Sequence, residues 1–356
     1  MAVRVAFVKM TGMDHEPALA DKLRYDGVWW RKLAALGSSY APEWWKRTSP
    51  SLVGAICFAL IGGNRRAAIA NMARVLDDSS RTPTASALRM FVEFSYCFSE
   101  TLERFGPRPR PVQVALPRVD TIRDAIKRGQ GAIVVTGHFG NWDIAALELL
   151  RYDRPTHVVM AHEHNDSTNP YVERMREEIG LRVVYSDRSV LSSLELLQAL
   201  RRNEIVALQL DRLADSDSAR EIEMFGAPVR LPSGPFELAR LSGAPVIPVF
   251  SPRVGVRQYE IHLGQPRTLA RRASSADLEA CMTEVALEME RMIRLRPHQW
   301  FQFQPFWVAD GAGEVQRAAS PVRRRQRGIT VVKELYARRD AAIRSRTSSR
   351  RRSRSS

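Results

Sequence analysis

The chain changes its hydrophobic rhythm near residue 110. Before that point apolar residues recur at three- and four-residue intervals, as on one face of a helix. "SPSLVGAICFALIGGNRRAAIANMARVL" (49–76) and "TASALRMFVEFSYCFSETLERFG" (84–106) have broad apolar faces and few strand signals. They predict a helical region over 1–110, closed by the proline-rich "GPRPRPVQ" (106–113). From about 120, short apolar runs alternate with amphipathic stretches. Strands are predicted at "AIVVTG" (132–137), "THVVMA" (156–161), "RVVYS" (182–186), "IVALQL" (205–210), "PVIPVF" (245–250) and "YEIHLG" (259–264). Helices are predicted at "VDTIRDAIKRGQG" (119–131), "NWDIAALELLR" (141–151), "NPYVERMREEIG" (169–180), "VLSSLELLQALRRN" (190–203), "SGPFELARLSG" (233–243) and 275–296. This alternation predicts an α/β fold over 111–310, with a mixed, largely parallel sheet flanked by helices.

Composition changes the picture at the chain's end. From Pro321 onward thirteen Lys/Arg face only Glu334 and Asp340, a surplus of eleven in a total formal charge of +15. The body is therefore close to balance, and the basicity belongs to a tail, 311–356, that is expected to be disordered. Cys57, Cys97 and Cys281 are few, scattered and odd in number, which argues for a reducing compartment and against a disulfide framework. The first 22 residues lack the apolar core and cleavage site of a secretory signal. The best apolar run, "LVGAICFALIGG" (52–63), is too short for the roughly 20 residues of a membrane span. It follows two tryptophan pairs, Trp29–Trp30 and Trp44–Trp45, each next to a basic residue. That composition suits either a buried helix or a segment at the water–lipid boundary.

The chemistry concentrates at "GHFGNWD" (137–143), directly after a predicted strand. Open α/β sheets bind ligands at the carboxyl ends of their strands. Asn141 is a natural N-cap for the next helix, and Asp143 falls in its first turn. From there the Asp143 carboxylate can swing towards His138 and fix its tautomer, leaving the other ring nitrogen to take a proton from a hydroxyl. Spacing alone equally allows a helix-dipole aspartate beside a turn histidine. No nucleophilic Ser or Cys lies in the motif, so a base acting on a bound alcohol is its simplest use. "AHEHND" (161–166) reads as a surface loop rather than a metal site, and no metal or cofactor is expected. Arg230, after a Gly–Ala–Pro turn, is able to hold a phosphate or to stand solvated. Trp300 and Trp307 read as packing.

"HFGNWD" resembles the H-x4-D/E motif of the bacterial lipid A lauroyl/myristoyl acyltransferase family, which includes phosphatidylinositol mannoside acyltransferases. "RRAAIANMARVL" (65–76), "LQLDR" (208–212), "EMFGAPVRLPSGPFELARLSGAPVIPVF" (223–250) and "RPHQWFQFQPFW" (296–307) are similar to further family blocks in the right order, over roughly 45–307. The resemblance implies a glycerolipid acyltransferase-like fold with an N-terminal membrane-associating region. It implies transfer of a fatty acyl chain from acyl carrier protein or coenzyme A to a hydroxyl of a membrane glycolipid. A lipid A precursor, a phosphatidylinositol mannoside or a lysophospholipid would be the acceptor. His138 then takes the base role and Asp143 the orienting role. Glu221, with Glu223 as the alternative, takes the place of an acid that approaches the histidine. Asn141, Asp211, Arg212 and Arg230 are assigned to substrate binding. The resemblance places the protein on the cytoplasmic face of a bacterial inner membrane, peripheral or monotopic, against anionic lipid. A different class, a non-enzymatic nucleic-acid or lipid-binding protein, would explain only the tail. Nucleic acid is not the expected partner.

Overall fold

The computed structural model describes residues 28–76, 82–117, 120–160, 173–174, 176–186, 190–213 and 218–307. Four helices come first: α1 (Val28–Tyr40), α2 (Glu43–Leu60), α3 (Gly62–Val75) and α4 (Pro83–Phe105). Pro83 opens α4 and the Thr82 hydroxyl caps it, accepting from the Ala85 amide. Helices α2 and α3 bend through 98° at a break between them. No single described helix is long and apolar enough to cross a membrane.

The α/β part follows. Its elements are β1 (Gln113–Ala115), α5 (Thr121–Lys127), β2 (Ala132–Thr136), α6 (Trp142–Leu149), β3 (Thr156–Met160), β4 (Leu181–Tyr185), α7 (Val190–Arg201) and β5 (Ile205–Gln209). After these come β6 (Ala219–Met224), β7 (Ala227–Pro232), α8 (Gly234–Ser242), β8 (Val246–Phe250), β9 (Arg253–Gly255), β10 (Gln258–Glu260), β11 (His262–Leu263) and α9 (Ser275–Leu295). Six strands form the main sheet in the order β11-β8-β2-β5-β3-β4, all parallel except β11. Strands β1, β10 and β9 make a small second sheet, and β6 with β7 an antiparallel hairpin.

Strand β2 shows why the central runs are apolar throughout. Its side chains alternate between two cores: Ala132 and Val134 face Ile122, Leu149 and Ile247, while Ile133 and Val135 face Leu200, Phe236 and Met289. Both faces are covered, so the four buried positions Ala132–Val135 are all apolar. Each fully buried aliphatic side chain there contributes about 1.5–3 kcal/mol. The second core also takes in Met72, Met90 and Phe91 from α3 and α4, so the helices and the sheet are packed together.

Several details differ from the sequence pattern, and the short strands β1 and β9 fall outside the predicted set. "YEIHLG" is not one strand. It breaks at Ile261, with β10 in the small sheet and β11 on the edge of the main one. The β6–β7 hairpin was not expected, although its alternation is plain once seen. Ile222 and Met224 face inward with Val229 and Leu231, and the turn is made by Phe225 and Gly226, both at positive φ.

The topology positions the site. Strand β2 leads through α6 to β3, on one side of β5. Strand β5 leads to β8, on the other side of β2. Adjacent strands whose chains depart in opposite directions open a crevice at their carboxyl ends.

Candidate active site

His138 follows β2 and Asp211 follows β5. The strands are parallel neighbours with Thr136 abreast of Gln209. Two residues further along each chain, His138 and Asp211 therefore meet. His138 Nδ1 lies 2.7 Å from Asp211 Oδ1, and the His138 amide donates to Asp211 Oδ2 at 2.8 Å. A carboxylate only accepts, so Nδ1 carries the proton and Nε2 keeps its lone pair. The Trp300 indole donates to Asp211 Oδ2 at 2.9 Å, and the Gln302 amide to the Asp211 carbonyl at 2.7 Å.

The turn is braced from three sides. The Gly140 amide donates to the Gln299 carbonyl, the Asn141 amide to the Ser251 carbonyl, and the Phe301 amide to the His138 carbonyl. Gly140 has φ +61°, and a Cβ there would sit 2.0 Å from the Ser251 carbonyl oxygen. No side chain fits at that approach.

Electrostatics favour a neutral base. Burial lowers the pKa of His138 below its usual value, and the Arg212 and Arg176 guanidiniums add to this against the pull of Asp211. Burial pushes the Asp211 carboxyl up. The His138 ring, Arg212 and the hydrogen bonds from His138 outweigh it and hold Asp211 at about 2. At neutral pH the pair is a neutral imidazole on an ionised carboxylate, the arrangement that draws a proton off a bound hydroxyl.

The other expected residues fall elsewhere. Asp143 was expected to orient His138, but its Oδ1 accepts from Arg176 Nε at 3.2 Å and Nη2 at 2.7 Å. Both side chains are largely buried, and Asp211 holds the imidazole instead. Glu221 and Glu223 were expected near the histidine. Both are exposed on β6, opposite Arg230 and Pro228, and the described bonds of the His138 ring and amide go to Asp211 instead. Alternation across the hairpin turns Ile222 inward and both glutamates outward. Arg230 is exposed on β7. Asp211 was assigned to substrate, yet its side chain is wholly buried and serves His138. Asn141 was assigned likewise, but it is buried, caps α6 by accepting from the Ile144 amide, and bonds Cys97, Thr101 and Tyr259. Arg212 remains exposed and donates to the Phe301 carbonyl. Trp300 does more than pack, since its indole bonds the carboxylate that holds His138. Residues 161–172 and 308–356, which hold "AHEHND" and the basic tail, lie outside the described residues.

A row of rings leads away from the site. Trp142 meets the His138 ring edge-on at 5.2 Å between centroids. From Trp142 successive contacts of 4.8–6.2 Å run through Phe301, Phe94, Phe303 and Phe91 to Phe58 on α2. The outer surface of α1 and α2 exposes Leu36, Tyr40, Trp44, Trp45, Leu52, Val53, Ile56 and Leu60. The side chains of Trp29 and Trp30 lie outside the described residues.

Comparison with known proteins adds three findings. The model of the family described as bacterial lipid A biosynthesis acyltransferase matches residues 15–308. A phosphatidylinositol mannoside acyltransferase of Mycobacterium tuberculosis (strain ATCC 25618 / H37Rv) is 29% identical over 200 residues, 54% of this chain. That match spans 59% of the relative's own length. A protein of the same name from Mycolicibacterium smegmatis is 27% identical over 258 residues, 68% of this chain and 80% of that one. Among solved structures, the 1-acyl-sn-glycerophosphate acyltransferase of Thermotoga maritima covers 74% of this chain and 97% of its own at 14% identity, with a TM-score of only 0.33.

Proposed function

Because the chain belongs to the bacterial lipid A biosynthesis acyltransferase family, we propose that it transfers a fatty acyl group from a thioester donor to a hydroxyl of a membrane glycolipid, with His138 as base. The observation that carries this reading is the 2.7 Å bond between His138 Nδ1 and the ionised Asp211. The acceptor hydroxyl gives its proton to His138 Nε2 as its oxygen bonds to the thioester carbonyl carbon. The C–S bond then breaks, and the leaving thiolate takes the proton back from the imidazolium. Asp211 steadies that imidazolium while it exists. No acyl-enzyme is needed, and the buried Cys97 and Cys281 have thiols pushed up by burial, which suits them poorly to nucleophilic attack.

The donor is acyl-coenzyme A or acyl carrier protein. Phosphatidylinositol mannoside is the first acceptor to test, since the curated relatives are named for it. Arg212, exposed and close enough to His138 to act on its charge, is suited to meet the anionic part of a substrate. The direct test is transfer of a labelled acyl group from either donor to phosphatidylinositol mannosides, followed across pH. Transfer is expected to plateau at neutral pH and to fall as the medium is acidified through the pKa of His138, which lies below 6.5. Asp211 stays ionised throughout that range. Absence of transfer to phosphatidylinositol mannoside, lysophospholipid and lipid A precursor alike, or an acid limb centred above 7, would contradict the reading.

The exposed side of α1 and α2 supports membrane association. Each aliphatic side chain that leaves water contributes about 1.5–3 kcal/mol. Changing Leu52, Ile56 and Leu60 together to Glu should therefore weaken liposome binding by more than a hundredfold. Flotation with anionic vesicles reads this out, and high salt alone should release only part of the unaltered protein. Full release by salt would place the binding in charge rather than in this face.

A further inference from the structure

Behind the catalytic turn lies a buried polar chain that takes no part in the proton transfer described above. Asn141 Nδ2 donates to the Tyr259 hydroxyl at 3.0 Å and to the Cys97 carbonyl at 3.1 Å. The Tyr259 hydroxyl in turn donates to Glu100 Oε2. Glu100 Oε1 accepts from Arg253 Nε at 3.0 Å and from the Arg257 amide at 3.1 Å. On its other side Asn141 Oδ1 accepts from Thr101 Oγ1 at 3.1 Å and caps α6. Tyr259 is 1% exposed, Asn141 3% and Glu100 7%. The chain continues outward: Arg257 bonds Glu103 and reaches Glu43 at the start of α2, beside the exposed Trp44 and Trp45.

An N-cap alone needs only one acceptor oxygen. Here both amide hydrogens of the cap are tied to groups on α4 and β10, elements that carry none of the reacting groups. The cap residue follows directly on the turn that holds His138, and its backbone amide is fixed to Ser251. Glu100 of α4, which holds the Tyr259 hydroxyl, is itself held by the arginines of the β9–β10 hairpin. Burial above all, together with neighbouring Cys97 and Glu100, raises the Tyr259 pKa well above its usual value, so its hydroxyl stays protonated and able to donate.

We infer that Tyr259 and Glu100 are positioning residues, which hold Asn141 and through it set the His138 turn against Asp211. The inference rests on the base role of His138. It assigns a task to Tyr259 that stability alone does not require. Displacing a reacting group by about 1 Å typically costs on the order of a hundredfold in rate.

The test uses the full chain with Tyr259→Phe, which keeps the ring and removes the relay, and Thr101→Val, which removes one of the cap's two bonds to α4. Both are assayed well below their melting midpoints. Transfer kinetics are read together with the low-field proton resonance of His138 Nδ1–H, which reports the bond to Asp211. For Tyr259→Phe the expected result is a fall in kcat of about ten- to hundredfold, with KM for donor and acceptor unchanged and the His138 resonance moved or broadened. Thr101→Val should shift the same resonance with a smaller loss, and it decides the matter if Tyr259→Phe does not fold. A kcat within twofold of wild type, or a loss of kcat with the His138 resonance unmoved, would overturn the inference. His138→Ala separates the two levels. If it is inactive while Tyr259→Phe is fully active, only the positioning role fails. If His138→Ala is active, the base role itself fails.

Discussion

Asp211→Asn should lower kcat by about 10³–10⁴-fold while leaving the protein folded. The asparagine oxygen still accepts from the His138 amide and the Trp300 indole, which both reach Oδ2 now. Its NH2 group then faces His138 Nδ1, at the place where Oδ1 stood at 2.7 Å. A donor there forces Nδ1 to accept, and the ring proton moves to Nε2. The base is lost by tautomer, with no change in shape. The imidazolium also loses its counter-charge. Steady-state transfer assays with a melting curve check this. Loss of activity through unfolding alone, or a kcat within tenfold of wild type, would contradict it.

His138→Ala should remove nearly all transfer. Loss of a general base typically costs 10²–10⁴-fold, because water then has to accept the proton. The fold should survive. The side chain is small and 12% exposed, and Asp211 keeps the backbone amide of residue 138 and the Trp300 indole as donors. Removing one partner of a buried hydrogen bond costs about 1–3 kcal/mol, which lowers the melting midpoint without abolishing the transition. Binding of a non-hydrolysable acyl thioether should be near normal. A folded His138→Ala protein with near-normal transfer would exclude His138 as the base.

Much of the architecture was legible in the sequence because both sides of β2 and β5 are covered. Unbroken apolar runs such as "AIVV" and "IVAL" have few other uses in a chain that alternates with helices. Asn141 as an N-cap was legible for the same local reason. The pairing inside the site was not. His138 and Asp143 are five residues apart, and local spacing made them partners. Asp211 is far along the chain and reaches His138 only because β5 inserts between β2 and β3, in a register that brings Gln209 beside Thr136. Sequence spacing holds no record of that insertion. The two motif blocks, "GHFGNWD" and "LQLDR", do meet in space, but which carboxylate bonds the histidine is a tertiary fact. Glu221 misled for the opposite reason. Its neighbours alternate as a hairpin, and the pattern Glu221–Ile222–Glu223–Met224 already turned both acids to the outside. The Asp143–Arg176 pair was likewise invisible, since Arg176 belongs to the segment between β3 and β4.

In the proposed mechanism His138 stands neutral, with its proton on Nδ1, because Asp211 holds it there. The ¹⁵N chemical shifts of the His138 ring at neutral pH report this, in the unaltered protein and in Asp211→Asn and Asp143→Asn. The expected result is a protonated Nδ1 and a bare Nε2 in the unaltered protein, the same in Asp143→Asn, and reversal of the two nitrogens in Asp211→Asn. A proton on Nε2 in the unaltered protein, or a reversal caused by Asp143→Asn and not by Asp211→Asn, would contradict it.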